Sequence, residues 1–142
     1  MATGMTKLYR AILIDPKRQT VDVVVTKGTH EDTCGWVGAS GLDNFRIADH
    51  PKSFDYGWVD DTGLSRGQPI HAFKFDSGGD PIAGTCLLIG ANKETGATAD
   101  AAMPLDFARE HIVWLGLIIP EVFWEESEHG SRAIVTYSRV KA

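Results

Sequence analysis

The chain has 142 residues, 43% hydrophobic and 23% charged, with a formal net charge of −5. That length suits one domain, able to bury on the order of two-thirds of its unfolded surface without disulfide or metal support. The composition excludes a collagen, a disordered tail and a membrane-spanning chain. The longest apolar stretch, from Ile112 to Ile119, contains Gly116 and stops at Pro120, short of the ~20 residues a bilayer span needs. With 19 acids against 14 bases, a general binder of DNA or RNA backbones is not expected.

Residues 1–6 read as a loose extension. No export signal follows, because the run Ala11-Ile12-Leu13-Ile14 is cut by Asp15-Pro16. Residues 8–15 and 20–26, the second rich in β-branched valines, predict a β-hairpin around Pro16. Thr29, followed by Glu31 and Asp32, predicts a short helix to about Val37, half-burying Cys34, Trp36 and Val37 and ended by Gly41. From Asp43 the period returns to two, with Phe45 and Ile47 on one face; Tyr56, Trp58 and Val59 form a further strand. Asp60-Asp61-Thr62-Gly63 is turn chemistry, after which Leu64 folds back on the core. Residues 70–75 predict a strand with Ala72 and Phe73 on opposite faces, and a turn over 77–81 leads to a central strand over 82–89. A polar loop, 90–100, precedes a helix opened by Met103-Pro104, with Leu105, Ala108, Ile112 and Phe107 inward. A strand over 113–119 and a hairpin of 121–126 with 132–140 complete the chain. The architecture predicted is α+β: a mostly antiparallel sheet, two short helices on one side and a C-terminal β-hairpin. It is one domain, residues 1–142, with a core over 8–115 and a hairpin extension over 116–142.

Candidate chemistry is sparse. The loop over 90–98 fails as a Walker motif, because five residues separate Gly90 from Gly96 and Ala97-Thr98 follows. Its backbone N–H groups, with Lys93, Thr95 and Thr98, are still suited to an anion; the bland alternative is a polar connection. The five histidines lack metal-ligand spacing, and His30 and Cys34 at i, i+4 would need further ligands from distant sequence. Asp60 and Asp61 are read as turn formers before Mg²⁺ ligands. Cys34 and Cys86, without a C-x-x-C, are expected as free thiols. No nucleophile elbow is present, so no catalytic residue, metal or cofactor is expected. Large rings are plentiful, and most belong to the core, Phe73 and Trp114 first. Phe123-Trp124 is harder to bury on both faces of a hairpin, so one ring is expected to point outward or into a partner.

Three stretches carry a resemblance: Tyr9-Arg10-Ala11-Ile12-Leu13-Ile14-Asp15-Pro16, Val59-Asp60-Asp61-Thr62-Gly63-Leu64, and Pro81-Ile82-Ala83-Gly84-Thr85-Cys86-Leu87-Leu88-Ile89-Gly90. Together they resemble a family of uncharacterised small domains encoded by phages, plasmids and alpha-proteobacteria, over about residues 8–115. The resemblance implies an accessory gene of a mobile element, acting in the bacterial cytoplasm, and it transfers no catalytic residues.

The leading expectation is a non-enzymatic accessory protein, with a counter-defence role, that sequesters a small anionic, nucleotide-like ligand. Trp58 or Trp124 would stack on the base, and Arg46, Arg66, Lys93, Thr95 and Thr98 would donate to phosphate or ribose. The alternative is an inhibitor docking on a host or phage protein through Phe123 and Trp124, or associating into a homo-oligomer through them. A third reading is a hydrolase using Asp60 or Asp61 with a histidine brought near by the fold.

Overall fold

The computed structural model describes residues 7–63, 68–76 and 80–140. The predicted hairpin forms as β1 (Tyr9–Asp15) and β2 (Thr20–Thr26), in register from Tyr9↔Thr26 to Asp15↔Thr20. Asp15 closes its turn by accepting from the Lys17 and Arg18 N–H groups. The helix α1 (His30–Val37) starts where expected: the Thr29 side chain accepts from the Asp32 N–H. Asp32 in turn accepts from the Thr26 hydroxyl and the Lys27 N–H. Those donors, the Thr26 hydroxyl foremost, hold the Asp32 carboxyl below the usual carboxylate range. The helix ends at Gly38, not Gly41, because Gly38 takes the left-handed conformation (φ 78°) and donates to the Cys34 carbonyl.

β3 (Leu42–Asp49) and β4 (Ser53–Asp60) pair antiparallel, with a bulge between Arg46 and Ala48. β5 (Ile70–Phe75) has its predicted bounds. The expected single strand over 82–89 is two strands in two different sheets. β6 (Ile82–Ala83) pairs with β5, whereas β7 (Cys86–Asn92) lies between β1 and β4. Gly84 (φ 78°) makes the break, a conformation that costs a glycine nothing. The loop expected over 90–100 is also part strand, since β7 runs to Asn92 and β8 (Thr98–Ala99) folds back on it.

α2 (Leu105–His111) begins after Pro104, which occupies the N-cap rather than the first helical position. Ala108 and Ile112 face inward as predicted, but Phe107 is exposed. β9 (Ile112–Ser127) is one continuous strand, not a core strand followed by a separate hairpin arm. Pro120 does not interrupt it, because it lies just past the last β5 pairing, Ile70↔Ile118, on an edge that tolerates a missing N–H. β10 (Gly130–Arg139) pairs with its outer part.

The strands form a six-stranded sheet, β2-β1-β7-β4-β3 with β8 beside β7, and a four-stranded sheet, β10-β9-β5-β6. Among the described residues every pairing is antiparallel. The two helices do not share a side. Alternation along the central strands gives the larger sheet two apolar faces. Ala11, Leu87 and Ile89 pack with Val37 and Trp36 of α1 on one face. Ile12, Ile14, Cys86 and Leu88 pack on the other with Phe73 of the smaller sheet and Ala108 of α2. Because β1 and β7 carry apolar residues on both faces, both must be covered, which one layer of helices cannot do. Phe73 is fully buried and Trp114 half-buried, meeting edge to face at 6.2 Å. Both cysteines are free, and burial pushes the Cys86 thiol up to about 12.

Asp55 has the most demanding position in this core. It is fully buried on β4 and accepts from the Ala102 N–H and the Met103 N–H, each at 2.9 Å, and from His50 Nε2 at 2.8 Å. Arg10 of β1 binds the same crossover from the other side, donating from Nη1 to the carbonyls of Ala101 and Met103. Segment 100–103, which carries the chain from β8 to α2, is thereby fixed to the sheet through its peptide groups.

Candidate functional site

Strand alternation places Phe54, Tyr56 and Trp58 of β4 on one face. Successive rings lie 5.9 and 5.6 Å apart, tilted and then edge to face. Register brings Arg46 opposite Tyr56 and Asn44 opposite Trp58 on β3, and Ala91 opposite Phe54 on β7. The Arg46 guanidinium lies over the Phe54 ring, 3.9 Å from its centre, a cation–π contact. Its Nη1 is 3.5 Å from Asp49, and Lys93 Nζ is 3.9 Å from the same carboxylate oxygen. Two cations therefore share one exposed counter-ion beside a row of rings. Asn44, Arg46, the three rings, Ala91 and Gly96 line a shallow groove of about 400 Å³.

A larger cleft, about 740 Å³, opens between the β3–β4 end of the large sheet, the β5–β6 edge and α2. Its floor is apolar: Phe45, Ile47, Val59, Phe75, Ile82 and Met103. Around them stand Asp43, Asp60, Asp61, Asp76 and Asp80, with Arg46 and His111 also on the wall. Asp60 accepts from the Thr62 N–H at 2.9 Å and hydroxyl at 2.8 Å. His111 stacks on Phe107 and places Nδ1 3.0 Å from both Asp76 oxygens.

The structure brings some of the predicted residues together and separates others. Arg46 and Trp58 share the groove, and Lys93 reaches its edge through Asp49. Thr95 turns into its own loop, its hydroxyl accepting from the Ala97 N–H. Thr98 stands on β8 opposite Ala91, its methyl group against the space beside Gly28. Arg66 and Leu64 lie outside the described residues, as do 77–79 of the predicted turn. Phe54 and Tyr56 are groove residues that sequence reasoning missed; their signal was the alternation Phe54-x-Tyr56-x-Trp58 itself. Of the histidines, His111 is the one lining a cleft with Asp60 and Asp61. His30 Nε2 lies 3.4 Å from Cys34 Sγ, and no group of three or more metal-ligating side chains occurs among the described residues.

Phe123 and Trp124 are both exposed, by 51% and 72%. Opposite Ile134 and Ala133 respectively, they take the two faces of a ribbon that has outrun β5. The expectation that one ring would point outward understates the arrangement. Among the described residues, no helix is long and apolar enough to cross a membrane. Compared with protein-family profiles, curated proteins and solved structures, the chain matches none of them.

Proposed function

We propose that this protein is a non-enzymatic binding protein that sequesters a small, planar, anionic ligand of nucleotide type in the β4 groove. The observation that carries the reading is Arg46 held against the aromatic row with Lys93 drawn to the same carboxylate. A base stacks on Trp58 or Tyr56, and the two cations receive the phosphate in exchange for Asp49. The resemblance to small domains of mobile elements supplies the setting, an accessory protein in a bacterial cytoplasm that removes a nucleotide signal.

Calorimetric titration with cyclic nucleotides and ADP-ribose tests this. At least one should bind with Kd below ~100 µM, and Trp58→Ala should weaken it by about tenfold. The ligand should be recovered unchanged after denaturation. If none of these compounds binds at that strength, or if the recovered ligand is altered, the sequestering role is wrong.

The exposed rings of the hairpin favour a second reading, a protein-docking arm. A two-stranded ribbon with apolar rings on both faces and open edges is suited to adding to another chain. Native mass spectrometry should then show self-association of the purified protein. The double change Phe123→Ala, Trp124→Ala should abolish it and leave nucleotide binding intact. A monomer at high micromolar concentration removes the homo-oligomer form of this reading.

A further inference from the structure

We infer that the cleft between the two sheets is a second binding site, for an amphiphilic organic cation: an ammonium head on an aromatic or aliphatic body. This goes beyond the β4 groove. The volume, about 740 Å³, falls in the range of small-molecule sites, roughly 300–1,000 Å³. Its floor of Phe45, Ile47 and Ile82 offers only dispersion and burial, which selects an apolar body. The mouth selects the head. Asp61 and Asp80 have no cationic partner among the described residues, and Asp76 is engaged by His111. Arg46, though on the wall, directs its guanidinium to Phe54 and Asp49. Carboxylates set against an apolar wall are less well screened than in open water, so their repulsion is relieved best by a bound cation and worsened by an anion. The same charge explains why a nucleotide would avoid this larger cavity for the shallower groove.

Three fluorescent probes with one ring system and one tail length separate the contributions. Dansylcadaverine ends in an ammonium, its N-acetyl derivative in a neutral amide, and dansyl-aminohexanoate in a carboxylate. Dansylcadaverine should bind with a blue-shifted emission and about tenfold more tightly than the neutral probe, with the carboxylate probe weakest. The double variant Asp61→Asn, Asp80→Asn changes two exposed, isosteric side chains. It should reduce dansylcadaverine affinity about tenfold and leave the neutral probe unchanged. Trp58→Ala should alter none of the three, which separates this site from the groove. Equal affinity for all three probes, preference for the carboxylate, or no binding of dansylcadaverine below ~1 mM overturns the proposal. So does indifference to the asparagine variant.

Discussion

Asp55→Ala is expected to destabilise the fold by about 3–5 kcal/mol, because it takes a buried carboxylate from three donors at once and strands one of them, the Met103 N–H, in the core. The Ala102 and Met103 N–H groups and the His50 ring all lie against Asp55, and the buried Met103 N–H cannot reach water without lifting segment 100–103 from the sheet. For a chain of this length the loss corresponds to a fall in Tm of roughly 10–15 °C. Urea unfolding measures it directly. Asp55→Asn keeps one acceptor oxygen while setting an amide N–H₂ against a donor, so it should fall between wild type and alanine. Met103 both receives this anchor and floors the acidic cleft, so Asp55→Ala should also loosen dansylcadaverine binding. An alanine variant within about 1 kcal/mol of wild type would show that the crossover is not held by this carboxylate.

Gly90→Ala should rank second, at about 3 kcal/mol, and for a steric reason. Gly90 is not among the positive-φ glycines, so its backbone would accept alanine. A Cβ there, however, would stand 2.3 Å from the Asp100 carbonyl oxygen and 3.1 Å from that of Ala99. Both are backbone atoms and cannot rotate away. Gly90 lies opposite Asp55 in register, so the missing side chain is the room through which segment 100–103 approaches the carboxylate. Alanine must push β8 off β7 and carry the Asp55 bonds with it. The two substitutions damage one contact, and a double-mutant cycle should show the pair costing clearly less than the sum. Full additivity would separate the two roles. Hydrogen exchange at the Ala101 N–H, which donates to the Arg10 carbonyl, should speed up in both variants.

The candidate site was half legible. Arg46, Trp58 and Lys93 stood out by residue type; the β3–β4 pairing brings the first two to one groove, and a shared carboxylate, Asp49, draws Lys93 toward Arg46. Thr95 and Thr98 did not follow: the Thr95 hydroxyl satisfies the Ala97 N–H within its own turn, and Thr98 stands on β8 with its methyl group beside Gly28. The acidic cleft was not legible at all. Its carboxylates come from β3, the end of β4, the β4–β5 connection and the β5–β6 connection, and each taken alone reads as a turn former or a solvated charge.

What the sequence determined by itself was local. Hydrophobic period and turn chemistry placed β1, β2, β5 and the C-terminal hairpin, and the Thr29 cap with its following acids placed the start of α1. Those signals act over a few residues, where backbone sterics and side-chain alternation decide. Tertiary structure decided which surfaces meet. It divided residues 82–92 between two sheets at Gly84, set α1 and α2 on opposite faces, and ran β9 through Pro120 into an exposed ribbon. Alternation tells that a strand has two faces but not what covers either, because that depends on register with partners far along the chain. The −5 charge of the whole chain changed meaning in the same way. As a total it only weighed against nucleic acid; folded, five carboxylates of that total gather around one apolar cleft, and the groove across the sheet keeps Arg46, whose counter-ion Asp49 it shares with Lys93.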